Sequence, residues 1–338
     1  MFKTRFLTTV IVIIMAGLLV AGCGQSAKPA ETKTEKQAQY TFRLAENQPP
    51  DYPTTVASKK FAELVEARTQ GRIKIVVYPS AQLGEEKSVI EQVQLGAIEF
   101  TRVHASPLAE FNKQFGVLSL PYIFDNDEHM WRFLGSEMGE KMLKSLETTR
   151  MMGLAYYDNG ARSFYFTKPV KMLADLKGLK IRVQQNRVTM EMVSALGASP
   201  TPMPYGQVFS ALQTGVIDGA ENNYPSFYTS NHYQVAKNYI LNKHQRTPEV
   251  LLISKITWDK LSEADRKVLK EAASEAGKYQ RELWSNFEKD SESKLRAAGV
   301  TIVEVKDYGP WKQAVKPVIE KYGAEFKAEL EAIDKTRK

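Results

Sequence analysis

The 338-residue sequence contains one cysteine, Cys23, and four histidines. A single cysteine cannot close a disulfide within the chain or supply the paired thiolates of a structural metal site. His104, His129, His232 and His244 are scattered, with no metal-ligand spacing. The sequence has no Gly-x-Ser-x-Gly elbow, Walker loop, His-Glu-x-x-His pair or Gly-x-Gly-x-x-Gly turn. No motif presents paired catalytic carboxylates or an activated nucleophile, so an extracytoplasmic hydrolase or lyase finds no support, and no cofactor is expected. The acidic stretch 125–128 lacks the glycine and distal glutamate of a calcium loop. It is expected instead to cap the helix Glu128–Leu134, with Asp127 at the N-cap. Glu85 and Glu86 are expected to serve a helix N-terminus in the same way. The formal charge is +7, with two of the positive residues inside the first 22 and no basic block elsewhere. Nucleic acid is therefore not an expected partner. Beyond residue 22 no apolar stretch approaches the roughly 20 residues needed to cross a bilayer.

The N-terminus is distinctive. Lys3 and Arg5 precede the apolar run Phe6–Val20, which leads into Ala21, Gly22 and Cys23. A basic start, a short apolar core and small residues before a cleavage point describe an export signal. The Val-Ala-Gly-Cys ending resembles a bacterial lipobox, which implies cleavage behind Gly22 and diacylation of Cys23. The mature chain is then expected outside the cytoplasm, anchored by lipid and without a free thiol. Residues 23–39 are small, polar and charged, and read as a flexible tether. The remainder is long enough for two domains with proper cores.

From Tyr40 onward an amphipathic stretch repeatedly ends in glycine and a β-branched run follows. The junction glycines are Gly71, Gly96, Gly197, Gly215 and Gly299. Glycine supplies a left-handed helix cap, and the runs that follow have strand composition. The alternation indicates α/β architecture with mostly parallel strands. Residues 257–309 contain no proline. There Val268, Ala272, Ala276, Tyr279, Leu283 and Phe287 mark one face of a helix running to about Ala297, started by Ser262 with Asp265 three residues on. A helix that long is expected to lie across two lobes. A strand over Val300–Val305 and two charged helices divided near Gly323 complete the chain.

Two polar segments stand out. In Leu179–Gln184, apolar residues alternate with Lys180, Arg182 and Gln184, as in a half-buried strand. Taken alone, this segment is satisfied by an Arg182 that sits in water beside Lys180. The stretch 218–225 (Asp-Gly-Ala-Glu-Asn-Asn-Tyr-Pro) reads as a polar turn after a helix. Together with Gly197–Met203, Tyr78–Gly84 and Leu118–Phe124, these segments occur in an ordered series. The series resembles the DctP-type solute-binding proteins of TRAP (tripartite ATP-independent periplasmic) transporters, from about Tyr40 to near the C-terminus.

That resemblance implies a two-lobed α/β fold of the periplasmic-binding-protein kind, with crossing hinge strands, a long helix spanning both lobes and a ligand held between them. The first lobe is expected to comprise 40–158 plus 250–285, and the second 159–249 plus 286–338. The carboxylate-gripping arginine falls on Arg182, a second cleft arginine on Arg162, the motif asparagine on Asn222 and the pocket-wall aromatic on Tyr205. The loop after the first strand contributes Glu46 and Asn47, and the third strand's end contributes His104. Sialic-acid-binding members carry a carboxylate where this chain has His104, which argues against sialic acid. So many polar groups suit a sugar acid such as glucuronate or galacturonate better than a bare C4-dicarboxylate such as malate, succinate or fumarate, the alternative ligand class. The implied partners are a small organic acid, TRAP permease subunits and the membrane, and the protein is expected to be a monomer. A lipoprotein that senses a ligand for a signalling receptor is the alternative role.

Overall fold

The computed structural model describes residues 38–337. The signal 1–22, the lipid site Cys23 and all but the last two residues of the 23–39 tether lie outside the described residues. Eleven strands are present among those described. The first four are β1 (Tyr40–Ala45), β2 (Ile73–Tyr78), β3 (Phe100–His104) and β4 (Met151–Tyr157). The next four are β5 (Ala161–Phe166), β6 (Lys180–Val183), β7 (Ser199–Pro202) and β8 (Gly219–Asn222). The last three are β9 (Asn238–Arg246), β10 (Glu249–Ser254) and β11 (Thr301–Glu304).

They form two sheets, ordered β2-β1-β3-β10-β4 and β11-β9-β5-β8-β6-β7. Each sheet is parallel except for one strand, β10 in the first and β5 in the second, which runs against both its neighbours. β5 enters the second sheet directly from β4, and β10 returns to the first directly from β9. The chain thus crosses between lobes at 158–160 and 247–248, in agreement with the two-lobed architecture.

The glycine junctions account for much of this topology. Gly71, Gly96, Gly197, Gly215 and Gly299 all have positive φ, and β2, β3, β7, β8 and β11 begin two to four residues later. The stretch 218–225 is not a simple turn, since its first half is β8.

The helix Glu263–Ala297 is 35 residues long, about 50 Å at 1.5 Å per residue. The Ser262 hydroxyl caps it by accepting from the Asp265 amide at 3.1 Å. Leu269, Ala272, Ala273 and Ala276 pack into the first lobe's core, and Leu295 packs into the second's. Its buried face is rotated from the expected one. Tyr279 is exposed and Val268 only half-buried, whereas Gln280 and Trp284 are buried. Gln280 spends both ends of its amide on the Asp158 backbone, taking that residue's N–H at 2.7 Å and donating to its carbonyl at 2.9 Å. A glutamine used in this way sits in the core stripe, where a hydropathy pattern does not place it.

Three local expectations need correction. The helix Asp127–Leu134 is capped by Asn126, whose side chain accepts from the His129 amide at 2.8 Å. Glu85 precedes the helix Glu86–Gln94 without a side-chain cap bond. The C-terminal stretch does not stay with the second lobe. In the helix Gly309–Gly323, Trp311 and Val315 join the second lobe's core, while Val318 and Tyr322 join the first's. Ile333, in the last helix Lys327–Lys335, also belongs to the first lobe's core, and its carbonyl meets His129 Nε2 at 2.9 Å.

Candidate functional site

The ends of β1, β3, β6 and β8, the starts of β5 and β10 and the crossing segment 158–160 line a small, tightly closed cavity of about 20 Å³ between the sheets. The cleft is shut by bonds between lobes. The hydroxyls of Tyr52 and Ser226 lie 2.8 Å apart, the Gly206 amide donates to Glu85 at 3.1 Å, and Asn186 donates to the Ser106 carbonyl at 2.9 Å.

The two arginines of the second lobe differ in their partners. Arg162 grips Glu221 with two parallel bonds, Nε to Oε2 at 2.5 Å and Nη2 to Oε1 at 2.9 Å, and both side chains are buried. Its Nη1 donates to Asn222 Oδ1 at 2.9 Å. The nearby Arg162 and His244 outweigh burial and hold the Glu221 carboxyl down at about 2. Arg182 is 4% exposed, yet it forms no ion pair among the described residues. Its Nε and Nη2 both donate to the Met203 carbonyl, at 3.1 and 2.8 Å, and its guanidinium lies 5.8 Å from the centre of the Tyr205 ring. Burial lowers its pKa, the cost of a charge without a counter-ion. A planar fork with unspent donors, held still by a carbonyl and a ring, matches a carboxylate. The alternation rule correctly turns Arg182 away from the Ile181–Val183 core, but that other face is the cleft and not open water.

The first lobe contributes a third buried arginine, Arg102, on β3. It pairs with Glu46 and Glu249, donates to Asn47 Oδ1 at 2.6 Å, and lies 3.7 Å from Glu86. Glu86 accepts from the His104 amide at 2.8 Å. Burial and the Glu249 charge push Glu86 up to about 8. His104 is buried beside Arg162, and both conditions hold its pKa well below the usual histidine range, so the ring is neutral. Its Nδ1 accepts from the Ser106 amide at 3.2 Å. Tyr205 donates to the Ser226 carbonyl at 3.0 Å, which fixes the ring beneath Arg182.

The structure brings Arg182, Arg162, Asn222, Tyr205, Asn47 and His104 to the cavity wall. Glu46 stands behind that wall, because its carboxylate is spent on Arg102 and on the Gln48 amide. Sequence reasoning missed Gln48, Arg102, Gln184 and Glu249, and it gave Glu86 only a helix-terminal role. The period-2 pattern that exposed Arg182 also reaches Gln184. Nothing local marks Arg102 or Glu249, which meet across β3 and β10 from 147 residues apart.

The family model for bacterial extracellular solute-binding protein, family 7 (DctP), matches residues 44–325. The chain belongs to that family. This DctP-family protein is 40% identical over 286 residues to a solute-binding protein of Chromohalobacter salexigens, covering 84% of this chain and 85% of the relative. Among solved structures it resembles a TRAP periplasmic solute-binding protein of Xanthobacter autotrophicus with bound β-D-galacturonate. That match has a TM-score of 0.85, 41% identity, and covers 88% of this chain and 100% of that one. A second, from Pseudomonas putida with bound D-glucuronate, has a TM-score of 0.85, 40% identity, and covers 87% and 96%. The DctP-family protein is thus an extracytoplasmic solute-binding protein with the two-lobed fold. Among its described residues no helix is long and apolar enough to cross a membrane.

Proposed function

We propose that this protein captures a sugar acid such as glucuronate or galacturonate in its interlobe cleft and delivers it to a TRAP membrane permease. The observation that carries this reading is Arg182, a buried guanidinium without a carboxylate partner among the described residues, in a polar cavity whose other two arginines, Arg102 and Arg162, are already paired with carboxylates. The ligand's carboxylate takes the Arg182 fork. Asn222 and His104 line the same cavity and face the rest of the molecule. The two similar structures with bound uronates support the same ligand class. Lipid on Cys23 and the polar tether would keep the binding lobes at the membrane face as a monomer, within reach of the permease.

A ligand that binds the native state raises its melting temperature. A thermal-shift panel of D-glucuronate, D-galacturonate, succinate and D-glucose tests the reading. The two uronates are expected to raise the melting temperature, glucose not at all, and succinate less than either uronate. Arg182→Ala is expected to abolish the uronate shift while leaving the melting temperature without ligand close to wild type. Each charge-assisted hydrogen bond is worth roughly 1.5–3 kcal/mol, so losing a bidentate pair weakens binding by at least about 100-fold. An unchanged shift in Arg182→Ala would refute the assignment. A shift with succinate that exceeds both uronates would transfer the function to C4-dicarboxylates.

A further inference from the structure

The cleft wall contributed by the first lobe is rich in hydrogen-bond acceptors and has no cation to spare. Among the described residues Arg102 is the only arginine or lysine of that lobe on the cavity wall, and three carboxyl groups already surround it, those of Glu46, Glu249 and Glu86. Glu249 gives Oε2 to Arg102, and no donor among the described residues meets its Oε1. Glu86 gives Oε1 to the His104 amide, and no donor among the described residues meets its Oε2. Gln48 is 5% exposed and lines the same cavity, and its Oε1 is buried without a partner; Gln184 repeats this from the second lobe at 6%. The two glutamine oxygens, buried in this way, cost stability until a donor reaches them. Even with Glu86 protonated, Glu46 and Glu249 together outweigh the single charge of Arg102.

We infer that Glu249, with Glu86 and Gln48, reads the hydroxyl groups of the ligand and excludes a second carboxylate, so that this wall separates sugar acids from diacids of the same carbon skeleton. The inference rests on the sugar-acid reading above and adds residues to it. A hydroxyl donates to a carboxylate oxygen in a charge-assisted bond. A carboxylate in the same place donates nothing, meets the Glu249 charge in a low-dielectric cavity, and finds Arg102 already matched. Sites built to bond a hydroxyl reject analogues that leave their polar groups unpaired.

The test is calorimetric titration of the detergent-solubilised full chain, at pH 7, with D-glucuronate and with D-glucarate, the diacid of the same carbon skeleton, whose open chain carries a second carboxylate in place of the anomeric carbon; D-gluconate, an open-chain acid with one carboxylate, controls for the lost ring. Wild type is expected to bind glucuronate at least about 30-fold more tightly, as one uncompensated like-charge contact implies. Glu249→Gln keeps an oxygen for Arg102 while removing the charge. It is expected to narrow that ratio at least about tenfold, the equivalent of about 1.4 kcal/mol. A smaller wild-type ratio, or an unchanged ratio in a normally melting Glu249→Gln, overturns the inference. If that variant does not fold, the wild-type preference for D-gluconate over D-glucarate, both open chains, decides alone: a ratio below about tenfold overturns the inference. Tight glucuronate binding with a small ratio sinks only this inference. Glucarate binding more tightly than glucuronate, or no uronate binding at all, sinks the sugar-acid reading with it.

Discussion

Arg162 and Arg182 bring identical side chains to one cleft wall, and their partners give them opposite roles. Arg162 is spent on Glu221 inside the protein. Removing one member of a buried pair leaves the other charge uncompensated, at a cost of about 3–5 kcal/mol. Arg162→Ala is therefore expected to lower unfolding free energy in urea by that amount, whereas Arg182→Ala, which gives up only bonds to one carbonyl, lowers it far less. Equal losses in the two variants would contradict this division. Arg182 was legible in the sequence because strand alternation turns it off the core face and because the ordered motifs around it match a family pattern. The Arg162–Glu221 lock was not, since it needs β5 and β8 side by side, with the two residues 59 positions apart in sequence. The acidic surroundings of Arg102 were hidden for the same reason. Glu249 pairs in register with His104 and so lies diagonally from Arg102, a neighbour relation that exists only after β10 inserts beside β3.

At the level of elements, glycine carries much of the legible signal, because a left-handed cap is a local requirement. The crossing segment 158–160 applies the same rule at the hinge. Gly160 has φ +59°, and a Cβ there would come within 2.7 Å of Glu288 Oε1 and 3.1 Å of Trp284 Nε1. The long helix thus presses directly on the crossover, and Gln280 binds the Asp158 backbone one turn away. Gly160→Ala is expected to destabilise the protein by about 1–3 kcal/mol, seen as a lower melting temperature, because both backbone strain and a clash arise. An unchanged melting temperature would show that the hinge tolerates a side chain there. The helix itself was visible from its length, its Ser262 start and its freedom from proline. Its buried face was misplaced because hydropathy cannot foresee a core glutamine with a backbone partner. The return of the last helix to the first lobe was equally hidden. Its apolar positions fit either core, and the choice depends on where the preceding helix ends in space.

For the whole molecule, the two lobes bring unlike walls together. The second lobe offers a guanidinium with donors to spare, and the first offers carboxyl groups that outnumber Arg102 and have acceptor oxygens to spare. Closing these walls on a molecule with one carboxylate and several hydroxyls satisfies both, and closing them on nothing leaves Arg182 buried with one carbonyl as its only acceptor among the described residues. A ligand shifts a hinge of this kind only through a difference in affinity between closed and open forms. The most direct measurement is a crystal structure of the protein grown with D-glucuronate. The expected result is a closed cleft in which the uronate carboxylate lies about 2.7–3.2 Å from the Arg182 guanidinium nitrogens. A bound uronate whose carboxylate is held elsewhere, with Arg182 turned out of the cleft, would contradict it.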